Sequence, residues 1–201
     1  MNTKDYIAQE ALYLFSKKGY EATSVRNIAT AVGIKDSSLY NHYKSKQEIF
    51  DYVIEKYSQL STEKFFSFYK KDEIPANSLA MFNNPEMISK MGEQLFTSFV
   101  ADKDNCQLRQ LLATEMYHNE HARKAYAAYL KESLVWTEML FEKMMSDGVL
   151  VQTDAQVLAY EYMTPIYTLL TEYECEGITM DEALDFLKRH VALFFRSNKK
   201  Q

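Results

Sequence analysis

The sequence predicts an all-α fold of about nine helices, and three observations carry that prediction. Only five glycines and three prolines occur in 201 residues, too few for the many tight turns of an all-β sandwich. Helix formers such as Ala, Leu, Met, Glu, Lys and Gln are plentiful. Apolar residues recur at three- and four-residue spacing, punctuated by N-cap and stop signals, and no convincing strand interrupts them. With 47% hydrophobic residues the chain can bury a sizeable core, so disorder is not its default state.

The first helix is expected over Thr3–Lys18. Thr3 serves as N-cap, Asp5 lies near the positive end of the dipole, and Gly19 takes the left-handed position beyond the last turn. Its apolar stripe is Ile7, Ala8, Ala11, Leu12, Leu14 and Phe15. Thr23 or Ser24 caps a second helix, whose buried face is Ile28, Ala29 and Val32, and Gly33 turns the chain sharply. A third helix runs from Asp36 to Lys44 with Leu39 and Tyr43 inward. Ser45-Lys46-Gln47-Glu48 reads as a capping box that opens a fourth helix, reaching to about Lys70. That length makes it a plausible mechanical link into the next domain.

Residues 71–84 read as a loop. Asn84-Pro85-Glu86 gives N-cap, first-turn proline and first-turn acid for a fifth helix, which Asp102–Asn105 breaks. Leu108, Leu111, Leu112 and Met116 mark the sixth. Asn119 caps a seventh, which runs to Met145 and stops at Asp147-Gly148. Thr153 with Gln156 reads as a capping box for an eighth helix to about Glu176, with Gly177 just past its end and Pro165 expected to kink it. Thr179 with Glu182 opens the ninth, to about Ser197.

The net charge of −5 divides unevenly. Residues 1–50 hold seven Lys and Arg against five Asp and Glu, and the remainder holds sixteen against twenty-three. The N-terminal end is thus the part suited to phosphate. No signal peptide and no run of ~18 apolar residues appears, so a cytoplasmic protein without a membrane partner is expected. Cys106 and Cys175 read as reduced structural thiols. No Gly-rich phosphate loop or Ser/Cys nucleophile arrangement stands out, so neither enzymatic activity nor a cofactor is expected. Glu115 and His118 have the Glu-x-x-His spacing of di-iron bundles, but those need two copies and none of the other histidines follows a glutamate by three residues. Glu115, His118 and His121 as ligands of one metal is the minority reading against a polar helix junction.

Residues 25–44 form the organising stretch. Two short helices joined at Gly33, the second carrying Ser37, Ser38, Tyr40, Asn41 and His42 away from its buried face, match the helix-turn-helix that lays its second helix in a major groove. An ordinary pair of core helices would look similar in isolation. The flanks separate the two: Ala11–Tyr20, Thr23-Ser24-Val25, Ile28-Ala29, Gly33-Ile34, Leu39–Tyr43 and Lys46 together closely resemble the N-terminal domain of the tetracycline-repressor (TetR) family of bacterial regulators. The resemblance covers about residues 4–56.

That resemblance implies a helix-turn-helix DNA-binding domain over 1–46 and a helical effector-binding and dimerisation domain over 47–201. It assigns Ser24 or Thr23, Tyr40, His42 and Lys46 to the sugar-phosphate backbone, and Lys35, Ser37, Ser38 and Asn41 to base edges. Asp36 departs from the small or basic residue common at its place; it reads first as a helix cap, and second as an acceptor for a cytosine amine. The family further implies a homodimer on pseudo-palindromic double-stranded operator DNA, released by a small-molecule effector. Phe96, Phe99, Tyr117, Tyr126, Trp136 and Met139 are candidates for the effector cavity. Leu158, Tyr162, Ile166, Leu184, Leu187, Val191 and Phe194, on the two C-terminal helices, are candidates for the dimer interface. The competing function is a helical-bundle small-molecule or metal-binding protein without DNA affinity.

Overall fold

The computed structural model describes residues 2–68 and 85–200, so the loop expected at 71–84 and the Asn84 cap lie outside the described residues. The helices are α1 Thr3–Ala22, α2 Val25–Val32, α3 Asp36–Leu39, α4 Lys46–Phe68, α5 Pro85–Ala101, α6 Lys103–Glu115, α7 Glu120–Ser146, α8 Ala155–Glu174 and α9 Met180–Asn198. Among the described residues there is no strand, only a lone antiparallel bridge between Leu150 and Lys199.

The chain packs as two compact units. The first comprises residues 1–65 and 102–130, and the second residues 66–101 and 131–201. The apolar stripe of α4 (Ile49, Phe50, Val53, Ile54, Tyr57) shares one core with Ile7, Leu12 and Phe15 of α1 and Leu108, Leu111 and Leu112 of α6. α4 therefore lies almost wholly within the first unit, and α7 is the helix whose residues are divided between the two. Phe50 is the aromatic centre of the first core: its ring meets Phe15 at 5.4 Å and Tyr20 at 4.7 Å, both edge-on. The second core gathers Phe96 of α5, Phe141 and Met144 of α7, Leu158 and Leu169 of α8, and Leu187, Val191 and Phe194 of α9.

Several helix ends differ in detail from the sequence expectation. The N-cap of α1 is Asn2, whose side chain accepts from the Asp5 N–H at 2.8 Å, so Thr3 is the first helical residue. Gly19 does interrupt α1, but with φ 79° and ψ 166° it leaves the helix in an extended, glycine-only conformation, after which one further turn reaches Ala22. Ser45 accepts from the Glu48 N–H at 3.1 Å, and the Glu48 carboxylate closes its half of the box on the Lys44 N–H. Asn119 caps α7 by accepting from the Ala122 N–H, and Thr179 with Glu182 forms the full reciprocal box of α9. The N-cap of α8 is Asp154, not Thr153, because a carboxylate accepting from Val157 N–H also complements the helix dipole. α8 runs unbroken through Pro165.

The end of α8 corrects the expectation for Gly177. The left-handed residue is Glu176, at φ 56°. The Glu176 and Gly177 N–H groups donate back to the carbonyls of Tyr173 and Glu172, completing a Schellman turn. Gly177 serves close approach instead, since a Cβ there would sit 3.2 Å from the Glu172 oxygen. A glutamate in this conformation is strained, whereas glycine is not. Glu176→Gly is expected to raise stability by about 0.5–1 kcal/mol, after allowing for glycine's larger unfolded-state entropy. Chemical denaturation checks this; a lower midpoint for the variant would contradict the assignment.

Candidate nucleic-acid interface

The candidate interface is built on α2, α3 and the turn that follows. Ser24 caps α2 by accepting from the Asn27 N–H, and the Asn27 carbonyl oxygen accepts from the Ser24 N–H. The sequence expectation misses this box because asparagine stands where Glu or Gln is usual. Thr23 and Ser24 are thereby separated: Ser24 is exposed at the helix start, whereas Thr23 is fully buried with its hydroxyl donating to the Gly19 carbonyl at 2.8 Å. Burial takes the Thr23 side chain out of reach of a sugar-phosphate backbone. Its place is that of an internal brace behind the break in α1.

Gly33 closes α2 in the left-handed region, φ 77° and ψ 28°, and Ile34 N–H donates to the Ala29 carbonyl. α3 is shorter than expected. Regular helix ends at Leu39, and the chain continues through Tyr40, Asn41 and His42 as tight turns, with His42 N–H bonded to the Leu39 carbonyl three residues back. Leu39 and Tyr43 are the inward anchors, at 0% and 1% exposure. The Tyr43 hydroxyl donates to the Lys4 carbonyl, and burial pushes its phenol above the usual range. With both ends pinned, Lys35, Asp36, Ser37, Tyr40, Asn41 and His42 are all exposed and Ser38 is half-buried. All of these exposed or half-buried side chains can form hydrogen bonds. Asp36 is not the cap of α3: the N-cap is Lys35, which makes no side-chain cap bond, and Asp36 is already in the first turn.

Lys46 is more committed than its expected role implies. Its ammonium donates to the Tyr20 carbonyl at 2.8 Å and lies over the Tyr20 ring, 4.0 Å from the centroid. Tyr20 is a junction that sequence reasoning did not single out. Its N–H donates to Glu115 Oε1 at 2.7 Å, and its hydroxyl donates to Gln47 Oε1 at 2.9 Å. Gln47 in turn donates to Asp51, whose carboxylate meets His121 Nδ1 at 2.9 Å. Glu115 and His121 thus have partners on α1 and α4, and His118 is exposed beyond the end of α6. Among the described residues no three His, Cys, Asp or Glu side chains gather as a metal site.

The effector and dimer candidates separate by unit. Phe96 is buried in the second core and Trp136 packs against it, whereas Tyr126 packs against the first core. Phe99 is half-buried. Tyr117 and Met139 are 76% and 57% exposed, which removes both as cavity-lining residues. Of the dimer candidates, Leu158, Leu187, Val191 and Phe194 are buried within the chain's own core, and Tyr162, Ile166 and Leu184 pack against it. The α8–α9 pair thus uses that face internally. What it leaves exposed is a second stripe, Val157 and Tyr160 on α8 and Phe186 and Leu193 on α9. Helical periodicity alone could not say which of two apolar faces is spoken for.

A pinned, outward-facing short helix after a glycine turn, among described residues that form helices and no strand, defines a helix-turn-helix fold. Comparison with known proteins narrows this. Residues 7–53 match the model of bacterial regulatory proteins of the TetR family. The biofilm operon icaADBC HTH-type negative transcriptional regulator IcaR of Staphylococcus epidermidis is 46% identical over 52 residues, 26% of this chain and 28% of that protein. The match thus spans little more than a quarter of that relative's length. A TetR transcriptional regulator from Chloroflexus aurantiacus has a TM-score of 0.77 at 17% identity, over 99% of this chain and 97% of its own. A regulator from Saccharomonospora viridis in complex with choline has a TM-score of 0.73 at 16% identity, over 98% of both chains. The N-terminal module thus matches the TetR family's sequence, and over nearly the whole chain the fold is that of solved TetR-family regulators. Among the described residues no helix is long and apolar enough to cross a membrane.

Proposed function

We propose that the protein is a cytoplasmic, sequence-specific transcriptional repressor, not an enzyme, that binds double-stranded operator DNA as a homodimer and is released by a small molecule. Residues 1–46 read DNA, and residues 47–201 serve effector binding and dimerisation. The observation that carries the reading is the polar surface of Lys35–His42, held outward by the buried anchors Leu39 and Tyr43. Ser24 and His42 face the sugar-phosphate backbone from either end of the motif, Tyr40 joins them, and Ser37, Ser38 and Asn41 present hydrogen-bonding groups to base edges. Relatives such as IcaR, a negative regulator, support repression.

The exposed stripe of Val157, Tyr160, Phe186 and Leu193 supports pairing of two copies through α8 and α9, which would set two reading surfaces on a pseudo-palindrome. The choline complex of one structural neighbour supports a small-molecule effector, with Phe96, Phe99 and Trp136 as the aromatic groups of the second unit nearest that role. Release follows if the effector favours a dimer whose recognition helices no longer match adjacent grooves.

Fluorescence anisotropy with the DNA upstream of its own gene tests the proposal. Affinity is expected to fall with salt, log K against log salt having a slope of about −0.9 for each phosphate neutralised. Lys35→Ala and Tyr40→Ala are expected to weaken the complex, the first at a base edge and the second at the sugar-phosphate backbone. Binding that is absent at low salt, or unaffected by both substitutions, would overturn the DNA-binding assignment.

A further inference from the structure

Asp36 is the one acid on the reading surface, and the structure gives it no internal task. It is exposed in the first turn of α3, Lys35 occupies the cap position, and the Asp36 carboxylate makes no hydrogen bond or ion pair among the described residues, its backbone carbonyl alone accepting from the Tyr40 N–H. A carboxylate there repels phosphate, so its contribution to binding any DNA indiscriminately is unfavourable. An ionised carboxylate only accepts hydrogen bonds. In the major groove the base-edge donors are the N4 amine of cytosine and the N6 amine of adenine. Guanine O6 and N7 and thymine O4 are acceptors that a carboxylate repels, and adenine sets its own N7 acceptor beside its amine. Cytosine is the base that offers a donor without an adjacent acceptor on its own edge.

We propose, resting on the DNA-binding reading above, that Asp36 is the specificity-determining residue for a cytosine at one position of each operator half-site, accepting from its N4 amine while excluding guanine and thymine there. The same charge disfavours non-specific complexes, so selectivity rises at both ends of the comparison. Asp36→Ala removes charge and acceptor together. Asp36→Asn keeps the shape, removes the charge and adds a donor, so it can also accept a purine at that position.

The experiment is selection of binding sites from a randomised duplex pool by the full-length wild type and by both variants, followed by anisotropy on selected and single-base-changed duplexes. Wild type is expected to select a C·G pair at one symmetric position, and to lose about 5- to 150-fold in affinity when that pair alone is changed. Both variants are expected to select sites degenerate at that position and otherwise unchanged, and to bind unrelated duplex more tightly than wild type. Circular dichroism melts that match wild type would show the variants folded. Variants that select the same base there with the same discrimination overturn the role of Asp36 and leave the DNA-binding reading standing. A wild type that enriches no sequence overturns both.

Discussion

Phe50→Ala is expected to lower the stability of the protein by about 3–5 kcal/mol, the range for removing a fully buried phenyl ring. Phe50 has 0% exposure, and its ring sits edge-on to Phe15 from α1 and to Tyr20 at the end of α1. The ring therefore binds the base of α4 to α1. Loss of the packed ring removes transfer energy, leaves a cavity, and forfeits two aromatic contacts. Phe50→Leu fills part of the volume and is expected to lose less. Denaturant melts followed by far-UV circular dichroism decide the matter. A loss under 1 kcal/mol for the alanine variant would mean that the site collapses freely and that Phe50 is not central to this core.

Gly19→Ala is expected to be the second most damaging of the substitutions considered. The backbone at Gly19, φ 79° and ψ 166°, lies in a region essentially restricted to glycine, and an alanine forced there is strained by about 1–3 kcal/mol. Sterics add to this, because the new Cβ would stand 3.3 Å from Glu115 Oε1, the oxygen that accepts from the Tyr20 N–H. Relief by moving Glu115 would leave that N–H without its acceptor. Gly33→Ala provides the comparison: its φ is also positive, 77°, but nothing lies within 4 Å of an added Cβ, so only backbone strain applies. Denaturation midpoints should therefore fall further for Gly19→Ala than for Gly33→Ala. Equal losses would mean that the Glu115 contact contributes nothing to the glycine requirement.

The parts of this molecule governed by local rules were legible in its sequence. Helical periodicity located α1, α4 and α6 through α9 to within a few residues, and the stop at Asp147-Gly148 and the box at Thr179 and Glu182 follow from chemistry confined to one turn. Errors appear where neighbours compete for the same task. Asn2 outranks Thr3, and Asp154 outranks Thr153, because either adjacent residue could cap and the choice depends on backbone geometry. Glu176 takes the left-handed place although a glycine stands beside it. Long-range contacts were less accessible still. That Thr23 turns inward and that Lys46 reaches the Tyr20 carbonyl depend on how distant segments meet. The same holds for Glu115, 95 residues from the N–H it accepts. Local spacing left a metal ligand only as the minority reading for that carboxylate beside a polar helix junction, and which groups such a junction joins depends on tertiary packing. At the candidate interface, the outward set from Lys35 to His42 was readable because the two buried anchors, Leu39 and Tyr43, are four residues apart.

The position of Lys46 bears on how tightly one copy alone can hold a duplex. Its ammonium already rests on the carbonyl end of α1, which leaves the N-terminal region, modestly basic to begin with, one cation poorer toward the sugar-phosphate rails. On the proposed function, a lone protomer would therefore hold a duplex weakly. Pairing two copies, as proposed, would turn the second engagement into an intramolecular event at high effective concentration, and the avidity of the pair would exceed that of either half. Under the proposed dimeric repressor, operator occupancy would then follow protomer abundance steeply, and small changes in expression would translate into large changes in silencing.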